Sequence, residues 1–142
     1  VSESKRPRRF EPAESELTQP FWDATRQRTL LLQWCDACQQ PVHYPREVCP
    51  KCMSAEELGW RPSPGRGEVY AFSVMHRAGS PFLADRVPYV VALVQLDEGA
   101  RLMTNIVGCE PGAVRVGMPV SVTWEELSDG RALPQFEPRA DA

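Results

Sequence analysis

Apolar and polar positions alternate with a different rhythm in each part of the chain, and each rhythm predicts its own kind of element. Leu17 to Arg28 reads as a short helix, with Thr18 as its N-cap and Pro20 in the first turn, where a missing N–H has no helical partner anyway. Phe21 and Trp22, with the apolar parts of Ala24 and Thr25, form a patch on it that either caps the core or anchors a partner. Thr29 to Trp34 predicts a strand, and Gln40 to Tyr44 returns the chain after a turn. Ser54 to Arg61 leads outward, with Leu58 and Trp60 packing back. Pro62-Ser63-Pro64-Gly65-Arg66-Gly67 is rich in backbone punctuation and predicts a hinge-like connector.

From Gly67 onward the pattern is β throughout. Glu68 to Arg77 predicts a long strand with Tyr70, Phe72 and Val74 on one face. Pro88 to Leu96 is almost wholly apolar and predicts a central strand buried on both sides. Asp97 to Ala100 is a hairpin turn into Arg101 to Cys109. A loop from Pro111 to Gly117 precedes a strand over Met118 to Glu125, and Ser128-Asp129-Gly130 turns into a last strand around Leu133 to Phe136. About five strands, the first one long, suit a small closed barrel of the oligonucleotide/oligosaccharide-binding (OB) type. The expected fold is mainly β: an N-terminal helix, a four-cysteine zinc ribbon and an OB-fold barrel. The expected divisions are 1–16 as a tether, 17–64 as helix plus ribbon and 65–142 as barrel.

The ribbon is predicted by cysteine spacing. Cys35 and Cys38 form one Cys-x-x-Cys pair, Cys49 and Cys52 a second, ten residues apart. Thiolates at i and i+3 converge from one knuckle turn, and two knuckles complete a tetrahedral four-sulfur site for structural zinc. A redox pair would need a helix after it, which Pro41, Pro45 and Pro50 prevent. Two disulfides would suit a secreted chain, but no hydrophobic signal segment precedes them. A four-thiolate site holds zinc or iron, and nothing nearby points to electron transfer, so zinc is the expected ion.

Composition adds bounds. The 142 residues, 42% hydrophobic, suffice for one core and contain no run of membrane-spanning length. A net charge of −3 with pI about 5.4 argues against a general nucleic-acid binder. The fifth cysteine, Cys109, is expected as a buried free thiol, which fits a reducing cytoplasm. Val1 replaces the usual Met, so a processed start or excision from a longer polypeptide is expected. Ser2 to Arg9 reads as a charged, solvated tether.

Several stretches together resemble a known family. They are Pro20-Phe21-Trp22, Leu30-Leu31-Leu32-Gln33, His43-Tyr44-Pro45-Arg46 and Cys49-Pro50-Lys51-Cys52. Gly65 to Tyr70, Pro88 to Val94, Val116 to Val120 and Leu133 to Phe136 continue the match. The resemblance is to acyl-CoA-associated proteins built from an N-terminal helix, a rubredoxin-like zinc ribbon and an OB-fold. One departure is that Gln39 and Met53 stand where the family's knuckles commonly carry Gly, which eases a positive-φ turn. The resemblance implies partnership with thiolase-fold enzymes, including the lipid-transfer-protein type that act as aldolases on steroid side-chain CoA thioesters. It also implies fusion to, or pairing with, hydratases of the hot-dog fold.

The chain's own catalytic inventory is thin, and no catalytic residue is assigned. His43 suits a structural or surface role, whereas His76 ends the long first barrel strand, where a barrel mouth meets ligands. Two readings follow. In the first, the chain is an accessory subunit or domain completing an acyl-CoA enzyme for retro-aldol or thiolytic chemistry. Phe21, Trp22, Arg46, His76, Arg77 and Arg86 are then candidate substrate or partner contacts, and Arg66 joins the arginines as a candidate for CoA phosphates or interface ion pairs. The second is a nucleic-acid-binding zinc-ribbon/OB-fold protein, opposed by the acidic balance and an aromatic content of 8%.

Overall fold

The computed structural model of the chain describes residues 9–140, in which one short helix precedes two β units. Helix α1 spans Gln19–Thr25, shorter at both ends than the sequence predicts. The Ser15 N–H donates to Thr18 Oγ1 (3.1 Å) and the Thr18 N–H donates to Ser15 Oγ (3.2 Å). This reciprocal box moves the capping contact one turn upstream, so Thr18 sits at the N-cap position without a side-chain cap bond. At the other end Arg28 adopts φ 56°. Its N–H donates to the Thr25 carbonyl and the Thr29 N–H to the Ala24 carbonyl, a left-handed stop that closes the helix. The buried Thr25 hydroxyl donates to the Trp22 carbonyl (2.6 Å) and accepts the Ala132 N–H (3.1 Å), fastening the helix to the last strand of the barrel.

Three antiparallel strands make the ribbon: β1 (Leu30–Cys35), β2 (Gln40–Val42) and β3 (Leu58–Ser63), in the order β2-β1-β3. The outgoing segment is thus a full ribbon strand pairing with β1 from Leu30↔Ser63 to Cys35↔Leu58. Because β3 reaches Ser63 and the next strand begins at Arg66, the expected hinge over Pro62 to Gly67 shrinks to Pro64 and Gly65. Gly65 is not loose either, since its carbonyl accepts the Val122 N–H (2.8 Å).

The barrel contains β4 (Arg66–Met75), β5 (Tyr89–Leu96), β6 (Arg101–Ile106), β7 (Pro119–Glu126) and β8 (Ala132–Pro138). It closes in the order β4-β5-β6-β8-β7. Neighbours pair antiparallel except β6 and β8, which run parallel and share the single register pair Ile106↔Phe136. Val69, Val90, Val94, Leu96, Val120 and Phe136 fill the interior, each at most 1% exposed. Two expectations are corrected here. β5 is not dry on both sides: Val90, Ala92, Val94 and Leu96 are buried, while Tyr89, Val91, Leu93 and Gln95 are half-buried, because a closed barrel has one interior. Tyr70 does not share a face with Phe72 and Val74, because a bulge between Val69 and Ala71 shifts the register. Phe72 and Val74 stand opposite Ala92 and Val90, whereas Tyr70 is exposed under the Arg101 guanidinium, 3.8 Å from its ring centroid.

The expected tether falls partly outside the described residues, which begin at Arg9. From there it is pinned rather than solvated. Arg9 pairs with Glu125 at 2.6 Å, Glu11 accepts from the Ser128 N–H and hydroxyl, and the Pro12 carbonyl accepts from Arg131. Among the described residues no helix is long and apolar enough to cross a membrane.

Gly67 is where β4 enters the barrel most tightly. A Cβ there would lie 2.3 Å from the backbone oxygen of Gln95, which belongs to a paired strand and cannot yield. Gly67→Ala is therefore expected to lower stability by at least about 2 kcal/mol, read as a lower denaturation midpoint at unchanged slope. Wild-type stability in this variant would mean that β4 and β5 are less closely apposed than described.

Candidate metal centre and the adjoining cleft

Both knuckles project their sulfurs to one point. Sγ of Cys35 lies 3.7 Å from that of Cys52, and Sγ of Cys49 lies 3.9 Å from that of Cys38. All four sulfurs lie within 4.8 Å of one another. A tetrahedron of sulfurs about 2.3 Å from a central ion has edges of about 3.8 Å, so the cluster fits one tetrahedral ion. The knuckle backbone supports the same chemistry. The Cys38 N–H points at the Cys35 sulfur, and the Cys52 and Lys51 N–H groups point at that of Cys49. Positive φ falls at Gln39 (51°) and Met53 (63°), the two positions where glycine would be at ease.

Electrostatics in the cluster are unequal. The Cys52 N–H draws the Cys49 thiol down to about 7 against the opposing pull of burial, whereas burial followed by the neighbouring sulfurs pushes Cys38 up to about 12. Four thiolates at this spacing repel one another, and a bound divalent cation supplies the charge that lets all four ionise. Four sulfur ligands also complete a tetrahedral ion's coordination, leaving no open position for a substrate.

The loop between the knuckles is held from below by Gln33, a buried residue in the otherwise apolar β1. Its carboxamide donates to the Arg46 carbonyl (2.8 Å) and accepts the Arg46 N–H (2.7 Å), imitating a strand ladder. The clasp presents His43 and Tyr44 to the barrel, where the Met103 N–H of β6 donates to the Tyr44 hydroxyl (2.8 Å). Between this loop, α1 and the outside of β5, β6 and β8 lies a cleft of about 450 Å³. Phe21 and Trp22 form its floor in edge-to-face contact at 5.0 Å, only 8% and 9% exposed. Their burial supports the core-capping reading of that patch. The His43 ring stacks 4.2 Å from that of Tyr44, and its Nδ1 is sealed from solvent without a hydrogen-bond partner. Burial pulls His43 down to about 4, so the ring is neutral at pH 7.

The remaining sequence candidates are dispersed. His76 and Arg77 are exposed just beyond β4, and the Arg46 side chain is exposed beside the ribbon. Arg86 is engaged: it pairs with Glu125 at 2.6 Å and covers the Phe82 ring at 4.3 Å, with Arg9 5.0 Å from the same ring. Cys109 is a half-buried free thiol just after β6, raised by burial and then by Glu110. Sequence reasoning missed Gln33, Tyr44, Glu125 and Arg131. Only Gln33 carried a signal, as the lone amide in an apolar strand.

A four-thiol ribbon joined to a five-stranded OB-type barrel defines the class. Residues 22–59 match the family described as the ChsH2 rubredoxin-like zinc ribbon domain, and residues 60–125 match the ChsH2 C-terminal OB-fold domain. A solved chain titled "Ltp2-ChsH2(DUF35) aldolase" superposes with a TM-score of 0.80 at 40% identity, over 90% of this chain and 98% of that one. The chain belongs to the ChsH2-type DUF35 family. It is also 43% identical, over 83% of its length, to a probable enoyl-CoA hydratase alpha subunit of Thermomonospora curvata. Over 89% of its length it is 32% identical to a Mycobacterium tuberculosis protein named 3-oxo-4,17-pregnadiene-20-carboxyl-CoA hydratase alpha subunit. It spans only 36% and 39% of those two relatives.

Two outcomes follow. Cys35→Ser is expected to lose the bound metal, measured as metal per chain by elemental mass spectrometry, and about 4 kcal/mol or more of stability. An unchanged melting curve would remove the four thiols from any metal role. His43 imposes a pH dependence of its own. Its folded value of about 4 lies below the ordinary 6.5, so as pH falls the unfolded chain takes up the proton first. Stability should therefore be flat above about pH 7, fall from about 6.5 to 4 by at most about 3 kcal/mol, and lose nothing further from this group below that. His43→Phe should flatten that part of a melting-versus-pH series.

Proposed function

We propose that this chain is an accessory module that docks on a thiolase-fold acyl-CoA enzyme of the lipid-transfer-protein type and supports carbon–carbon bond cleavage or formation. The supporting observation is the likeness to the chain titled as part of an Ltp2-ChsH2(DUF35) aldolase, which runs over 98% of that chain. The two relatives named as hydratase alpha subunits support CoA thioesters as the substrate class, with steroid side-chain thioesters among them, and a fused or paired hot-dog-fold hydratase as a second partner.

In this reading Zn²⁺ is the ion of Cys35, Cys38, Cys49 and Cys52, and its role is structural, consistent with a ribbon that has little core of its own. The groups that make and break bonds belong to the thiolase-fold partner. Arg46, His76 and Arg77, exposed on this chain, are contacts offered to partner or thioester, while Arg86 acts mainly through its pair with Glu125.

The experiment is co-expression with a thiolase-fold protein encoded beside it. The pair should co-purify through size exclusion and cleave a β-hydroxyacyl-CoA by retro-aldol reaction, or a β-ketoacyl-CoA by thiolysis, at a rate neither chain reaches alone. Failure to co-purify, together with steeply salt-dependent binding of single-stranded DNA, would replace this reading with nucleic-acid binding.

A further inference from the structure

The cleft beside the ribbon is built entirely from this chain and has a chemistry of its own. We propose that it binds an uncharged, ring-bearing apolar molecule that offers a hydrogen-bond acceptor, such as a ketone. This goes beyond the docking role, because no lining residue has to come from a partner.

Size is the first argument. About 450 Å³ lies within the ~300–1,000 Å³ of small-molecule sites and exceeds what one inserted side chain would fill. The cleft is half open to solvent, with a sheltered floor. Phe21 and Trp22 at its floor are nearly sealed, whereas Tyr44 and Met103 at its rim are 56% and 64% exposed. Charge decides the ligand class. No carboxylate, ammonium or guanidinium lines the cleft, and its one titratable imidazole is held neutral by burial. An ion entering it would lose hydration and gain no counter-charge.

The polar groups narrow the choice further. Thr104 already donates to the Pro134 carbonyl, the Asn105 amide to the Val90 carbonyl, and the Thr18 hydroxyl is engaged with Ser15. The Tyr44 hydroxyl accepts the Met103 N–H, so its own proton is not used by that bond. The Tyr44 proton, the second hydrogen of the Asn105 amide and the one N–H of the neutral His43 ring give the cleft donors without charge. Beside the rings of Phe21 and Trp22 they select a flat apolar ligand that carries an acceptor.

The test uses the full chain with its metal, methyl-labelled for NMR, and three probes of one shape: fluorenone, fluorene and fluorenone carboxylate. Fluorenone should produce saturable shifts at the methyls of Val91, Leu102, Met103 and Leu133. Fluorene, which has no acceptor, should bind about fivefold more weakly, and Tyr44→Phe should weaken fluorenone toward that level. The carboxylate should not saturate. If Tyr44→Phe does not fold, the fluorenone-to-fluorene ratio on the wild type still decides. Equal affinity for all three probes, or shifts confined to methyls elsewhere, would overturn the assignment. So would loss of the shifts when a docked protein covers the cleft, which would make it a protein interface instead.

Discussion

Four sulfurs gathered around one point are the constraint on which the rest of the N-terminal half depends. The ribbon's own buried cluster contains only Cys35, Val42 and Cys49, with Cys38 and Leu58 partly buried against it. Leu30 and Leu32 of β1 and Trp60 of β3 pack into the main core, so it is the knuckle end that has little apolar burial and where an ion's bond energy would stand in for packing. The barrel is different: it closes on a full interior, and α1 packs onto the same cluster through Phe21 and Trp22. The barrel and the base of the ribbon thus share one core, while the knuckle end rests on its four thiols.

That arrangement has a consequence for the cleft. The segment carrying His43 and Tyr44 is a loop between knuckles, and loops of that length are ordinarily mobile. Here both ends are fixed by cysteines, Gln33 clasps the middle through Arg46, and Tyr44 is hydrogen-bonded to β6. Metal binding, loop position and cleft shape are thus successive links in one chain of contacts. Those contacts run from the thiol cluster to β6 and bypass the barrel interior.

How much of this the sequence shows depends on the range of the interaction. Cysteine spacing, strand alternation and glycine turns are local, and they reveal the ribbon, the five barrel strands and the four clustered cysteines. The bulge at Tyr70 is invisible to a period of two, because nothing in Val69-Tyr70-Ala71 marks the extra residue. The same limit hid the helix boundaries: Ser15 lies upstream of the apolar patch, and Arg28 holds a left-handed conformation usually given to glycine. Glu125 looks like any exposed strand carboxylate until folding brings Arg9 and Arg86, both far upstream in sequence, to its two oxygens. Contacts between residues a hundred positions apart leave no local trace.

The placement of arginines bears on how a partner or thioester is met. Arg9, Arg26, Arg28, Arg61, Arg86 and Arg131 are all in ion pairs within the chain. Arg131, buried beneath Trp22, also keeps the Asp129 carboxyl below its ordinary range despite the upward pull of burial. Arg46, Arg66 and Arg77 are exposed and make no ion pair among the described residues. Arg66 opens β4 and Arg77 follows its end, and at ~3.3 Å per residue they stand up to about 36 Å apart. One phosphate cannot bridge that distance. That spacing would suit ion pairs spread along a protein interface better than a joint clamp on a single anion.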